Sequence, residues 1–91
     1  MKCAICGKEK MLVYISIYLK HGACVECYDK AKEINEYMKK ILPVDSYAGE
    51  YTVRRLDESG KELYRKHYKN GHWKRFVRNE TRKLFNVNMQ E

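Results

Sequence analysis

Apolar and polar positions alternate most densely in "MLVYISIYL", residues 11–19. Val13, Ile15, Ile17 and Leu19 fall on one face and Leu12, Tyr14, Ser16 and Tyr18 on the other. A two-residue period of β-branched and aromatic side chains predicts a strand, and Lys20-His21-Gly22 after it predicts a turn. The period then lengthens in "YDKAKEINEYMKKIL". There Ile34, Tyr37, Met38 and Ile41 recur at i, i+3, i+4 and i+7, the pattern of an amphipathic helix. Leu42-Pro43 ends it, because the residue before proline is pushed out of the α region.

Residues 44–50, "VDSYAGE", are polar and contain Gly49, and read as a connector. Beyond them, "DESG" separates "YTVRRL" from "KELYRKHY", and Asn70-Gly71 separates that from "HWKRFVR", a strong cue for a two-residue hairpin turn. With both turns in place, Val53 pairs with Tyr64, Arg55 with Glu62, Leu56 with Lys61 and Tyr68 with Trp73. A three-stranded antiparallel meander results. One face carries Tyr51, Val53, Tyr64, Tyr68, Trp73 and Val77; the other carries Arg54, Arg65, His67, Lys69, His72, Lys74 and Arg78. Residues 72–85 also fit a helix, with Trp73, Phe76, Val77 and Leu84 on one side and Lys74, Arg78 and Arg82 in a stripe on another. The strand reading is preferred. "NETRKLFNVNM" predicts a short terminal helix with Asn79 as N-cap and Leu84 and Phe85 facing inward.

Composition changes this picture by raising a problem of size. Ninety-one residues make one small domain or little more, burying about 60 to 65% of the unfolded surface, so the core calls for a staple. With 44% hydrophobic and 34% charged residues, one Pro and five Gly, long disordered stretches are excluded. The nine-residue apolar run is too short to span a membrane, and Cys3 follows the first methionine too closely for a secretory leader, so a reducing, cytoplasmic setting is expected.

The cysteines offer the staple. Cys3 and Cys6 enclose "AI", Cys24 and Cys27 enclose "VE", and the C-x2-C-x17-C-x2-C spacing falls in the range read as a zinc site. Each pair sits on a tight turn that aims two sulfurs at one tetrahedral ion, and the spacer is long enough for a hairpin to return. Gly7 follows the second ligand, where such a turn commonly needs a positive φ. A redox dithiol or disulfides, and four unrelated buried thiols, are the competing readings.

Residues 3–42 thus resemble a treble-clef zinc finger: a knuckle carrying Cys3 and Cys6, a hairpin, and a helix whose first turn brings Cys24 and Cys27. Together with the elements read beyond it, the chain is expected to be α+β: a finger over 1–43, a connector over 44–50, and a basic meander plus terminal helix over 51–91, packed together as one unit. The resemblance implies one structural zinc ion. Treble clefs serve in nucleic-acid binding, in protein docking and as the scaffold of His-Me finger nucleases, so the resemblance fixes fold better than function. Such nucleases need a histidine base at the hairpin and a D-H or H-H pair. Here His21 stands without an acidic or histidine neighbour, and the finger helix offers no Asn or His before Asn35. No enzymatic activity and no small-molecule substrate are expected.

Charge directs attention to the other half. The formal charge is +7; four thiolates around a divalent ion contribute 2 − 4 = −2 and leave about +5. From Arg65 to Lys83 there are eight basic residues (Arg65, Lys66, Lys69, Lys74, Arg75, Arg78, Arg82, Lys83) against Glu80 alone. An anionic partner is expected, either nucleic acid or an acidic protein surface. The candidate contacts are Arg54, Arg65, Lys69, Lys74, Arg75, Arg78, Arg82 and Lys83, which would neutralise backbone phosphates.

Overall fold

The computed structural model describes residues 1–87. The chain is α+β, with a two-stranded and a three-stranded antiparallel sheet and two helices. The apolar run does not form one strand. It folds back at Ile17-Tyr18 into β1 (Leu12–Ser16) and β2 (Leu19–Cys24). Ser16 makes the turn: its Oγ accepts the Tyr18 backbone N–H at 3.2 Å and donates to Asn35 Oδ1 at 2.5 Å. Lys20-His21-Gly22, expected to turn, lies inside β2 instead. One residue of β1 between Tyr14 and Ser16 faces three of β2 between Leu19 and Ala23, so the extra length bulges. His21 and Gly22 take φ of 65° and 105° to accommodate it. A Cβ on Gly22 would lie 2.4 Å from the Tyr14 carbonyl oxygen, so only glycine fits.

A 3-10 turn, Val25–Cys27, leads into α1 (Tyr28–Ile41), which buries Ala31, Ile34, Met38 and Ile41. Tyr37 is on the flank of that face, edge-on to Phe85 at 5.5 Å. The helix stops at Leu42 before Pro43, as expected, and the Leu42 carbonyl accepts the buried Tyr18 hydroxyl at 2.8 Å.

Residues 44–50 are more than a connector. They hold β3 (Val44–Tyr47), joined through Ala48-Gly49 to β4 (Glu50–Leu56). Both turn residues have positive φ (52° and 79°), as a type I′ turn requires. β5 (Glu62–Tyr68) completes the sheet in the order β3-β4-β5. The sheet is therefore a three-stranded meander that begins one strand earlier than the turn signals indicated. Val53 pairs with Lys66 and Arg55 with Tyr64, two residues from the expected register, because a bulge at Arg55/Leu56 and a five-residue loop lengthen the connection. A shift of two leaves the paired side chains of Tyr51 to Arg55 and Tyr64 to Tyr68 on their expected faces, while the bulge carries Glu62 across to the face of Leu56 and Arg65.

Residues 73–85 form α2 (Trp73–Phe85), the helical alternative of the sequence reading. Asn70-Gly71 does not make a hairpin: Gly71 is not among the positive-φ glycines, and Asn70 Oδ1 accepts the His72 N–H at 3.0 Å, starting the helix. Asn79 accordingly lies in mid-helix rather than at an N-cap, Phe85 packs against the core and Leu84 is exposed. The predicted extension to Met89 lies outside the described residues. The aromatic sheet face meets this helix, with Tyr51 stacked on Trp73 at 5.3 Å and Tyr68 tilted against Phe76 at 6.4 Å. A single buried cluster joins Cys3, Leu19, Ile34 and Met38 to Val53, Trp73 and Val77. No helix among the described residues is long and apolar enough to cross a membrane.

Candidate metal centre and basic surface

Each cysteine is placed by local backbone. The knuckle closes through Cys3 N–H to the Lys8 carbonyl (3.0 Å) and Gly7 N–H to the Cys3 carbonyl (2.9 Å), with Gly7 at φ 74°. That turn sets Cys3 and Cys6 side by side. Ala4 N–H donates to the Gly22 carbonyl at 2.9 Å and docks the knuckle on the β2 bulge. Cys24 ends β2, and Cys27 precedes the first residue of α1.

The four sulfurs lie within 4.8 Å of one another, Cys3 and Cys24 buried and Cys6 and Cys27 half-buried. Cys6 and Cys24 are 3.9 Å apart at sulfur, and all four are free thiols. That separation is about twice a disulfide bond length and matches the edge, about 3.8 Å, of a tetrahedron with metal–sulfur bonds of about 2.3 Å. Burial opposes ionisation of Cys3, but backbone N–H groups of Cys6, Cys24 and Ile5 outweigh it and bring the thiol down to about 6. Cys27 goes the other way, pushed up to about 12 by burial and by the neighbouring sulfurs. Four thiolates this close cannot share the site without a cation, which would lower the whole set. The donor set therefore fits one metal ion with a closed four-sulfur shell. Lys10 and Glu26 form an ion pair beside it.

His21, the residue nearest to a nuclease-like base, is exposed on the bulge and lies apart from any acidic cluster. Asn35 is occupied by Ser16.

The eight basic candidates separate into groups. Arg54 and Arg65 face each other across β4 and β5, and each is matched by an acid: Arg54 Nε to Asp45 at 3.1 Å, Arg65 to both Glu62 oxygens at 3.0 and 2.8 Å. His67 on the same face contacts Thr52 and Glu50. Lys69 lies past the end of β5, and Lys83 pairs with Glu80 at 3.7 Å. Lys74, Arg75, Arg78 and Arg82 share an arc of about 100° on α2 at 3.6 residues per turn. Among the described residues, neither Lys74 nor Arg78 makes an ion pair. Lys74, Arg75 and Arg78 converge with Lys20 and His72 on a cleft of about 530 Å3. Lys20 was absent from the sequence-derived surface, since it was read in a turn and nothing local places it beside a helix about fifty residues further along the chain.

Of the face that alternation gave to Val13, Ile15, Ile17 and Leu19, only Leu19 is buried. Met11, Val13, Ile15 and Ile17 project from the outer side of the hairpin and are exposed. Compared with protein-family models, curated proteins and solved structures, the chain matches none of them.

Proposed function

We propose that this chain is a small, non-enzymatic cytoplasmic protein in which Cys3, Cys6, Cys24 and Cys27 hold one structural zinc ion in a treble-clef-like finger. In this reading it binds nucleic acid through its basic surface, as a regulator in transcription, replication or translation. Zinc is the ion that four thiolates in tetrahedral array suit best in a reducing compartment. When bound, it cross-links the knuckle to the start of α1, and its closed shell leaves no position for a substrate.

The observation that carries the binding reading is the α2 stripe of Lys74, Arg75, Arg78 and Arg82, which adjoins Lys20 in one cleft. Cations gathered from two elements, among which Lys74 and Arg78 make no ion pair within the described residues, are suited to phosphates, and neutralising phosphates releases counterions. The sheet face, where Arg54 and Arg65 are already matched by carboxylates, supports it less. The test is a titration of the metal-loaded protein with mixed-sequence DNA and RNA at two salt concentrations. Affinity should fall steeply with salt; absence of binding at low salt defeats the reading. The exposed Met11, Val13, Ile15 and Ile17 stripe supports a second reading, a protein partner, which would retain affinity at high salt and lose it in Ile15→Asn.

A further inference from the structure

We infer that the cleft between β2 and the start of α2 is a phosphate-binding site. Its walls are Lys20, Gly71, His72, Lys74, Arg75 and Arg78, and no carboxylate lines it. Lys20 arrives on the bulged strand and the rest at the beginning of the helix, so the convergence is a product of the fold rather than of one basic run.

Three observations indicate an anion. First, α2 has no acidic residue in its first turn; Lys74 and Arg75 occupy positions where Asp or Glu would complement the positive end of the helix. His72 provides no side-chain cap either. Lys74, which makes no ion pair among the described residues, is unfavourable at that helix end, and an oxyanion seated beside it reverses the penalty. Second, Arg78 Nε is buried without a hydrogen-bond partner. The guanidinium is a planar fork made for paired oxygens, and here part of it is unused. Third, the space suits a ligand. A Cβ on Gly71 would meet nothing within 4 Å, and a volume of about 530 Å3 lies in the range of small-ligand clefts. That is room for more than one phosphate, as successive phosphates of a strand present. Local rules broken together at one place mark function more often than accident.

That the phosphate belongs to a nucleic-acid strand rests on the function proposed above; the phosphate site itself does not. The test uses the full, metal-loaded chain with two probes, inorganic pyrophosphate and a short single strand of mixed sequence. It compares Lys20→Gln/Arg78→Gln and Lys74→Gln in the cleft with Arg54→Gln/Arg65→Gln on the sheet. Pyrophosphate should shift the backbone amide resonances of Gly71 to Arg75. Strand affinity should fall roughly tenfold or more in the double cleft variant and less in Lys74→Gln, whose side chain is exposed and whose fold is safe. The sheet variant should change little, and the salt slope should drop by about 0.7 for each phosphate no longer neutralised. If the strand binds and only the sheet variant weakens it, the cleft is the wrong site while nucleic-acid binding stands. Pyrophosphate bound in the cleft without any strand binding keeps the site and removes the strand as its ligand. Failure of both probes at low salt overturns both.

Discussion

If the four cysteines hold a metal ion as proposed, removing it with a tight chelator under reducing conditions should disturb a residue in the second half of the chain. Of the fifteen described residues in the buried apolar cluster, eleven lie from Cys3 to Leu42, and Val53, Trp73, Val77 and Val87 lie beyond. Metal ligation in small thiolate sites supplies roughly 10 to 16 kcal/mol of apparent free energy. A chain of 91 residues has, at about 0.05 to 0.15 kcal/mol per residue, a total stability of about 5 to 14 kcal/mol. The loss is as large as the whole, and the four buried residues beyond Leu42, with Val44, Tyr51, Tyr68, Phe76 and Phe85 half-buried around them, lose the face they pack against. Trp73, the one tryptophan, is 6% exposed and stacked on Tyr51, and so reports on the second half of the chain. Chelation should red-shift its emission and abolish cooperative melting in far-UV circular dichroism. If elemental analysis finds no metal and melting is unchanged, the ion is not a structural staple. If helical signal falls while Trp73 emission stays put, the two halves are energetically independent and the shared core does not couple them.

Gly22→Ala should destabilise the metal-loaded protein by about 2 kcal/mol or more in urea melts, since a positive φ is compounded by a Cβ at 2.4 Å from the Tyr14 carbonyl oxygen; a change within experimental error refutes the bulge. Tyr18→Phe leaves the buried Leu42 carbonyl without its 2.8 Å donor, at a cost of about 1 to 3 kcal/mol, read from the same melts. Asp57 gathers Ser59 N–H, Ser59 Oγ and Lys61 N–H, and the Ser59 side chain first, then the Lys61 backbone, hold its carboxyl below the ordinary value. A depressed carboxyl stabilises fully above its unfolded pKa of about 3.9 and loses that contribution as pH falls further. Asp57→Asn should therefore flatten the acid limb of the stability curve below about pH 4, and an unchanged limb would rule out the loop as its source.

How far the sequence revealed this structure depended on how local the signal was. The cysteine spacing, the helix α1 and its stop at Leu42-Pro43 are local, and all were legible. The hairpin was partly hidden because apolar alternation runs unbroken through its turn, with Ser16 as the sole polar mark. Gly22 misled in the opposite sense. A glycine after Lys-His looks like a turn, but here it serves a close backbone approach within a strand. The two dipeptides with turn character exchanged roles: Ala48-Gly49 makes the type I′ hairpin and Asn70-Gly71 begins a helix. Asn70 explains that exchange, since a side chain able to accept the His72 N–H suits a helix start as well as a turn. Trp73, Val77 and Thr81 become buried at helical spacing only because the sheet begins at β3 and leaves α2 to cover it. The cleft was beyond reach for the same reason, being formed by the tertiary approach of Lys20 to α2.

The distribution of broken rules then separates stabilising from functional parts of the chain. Around the sulfurs, demanding geometry is satisfied: Gly7 supplies the positive φ, backbone N–H groups reach Cys3 Sγ at 3.4 Å from both Ile5 and Cys24, and the knuckle is tied to β2. At the start of α2 the reverse holds, with cations at the positive helix end, no acid in the first turn and an unpaired Arg78 Nε. The outer hairpin side is also costly, since Ile15 is 83% exposed on a strand edge that could otherwise be polar. A chain of this size without a staple has too little core to carry such costs. If the four cysteines hold a metal ion as proposed, a site worth as much as the rest of the fold makes them bearable, and the cysteines and the unfavourable surfaces belong to one explanation. It follows that a variant relieving the strain, with Glu in place of Lys74, should raise stability while weakening any anion it was meant to hold.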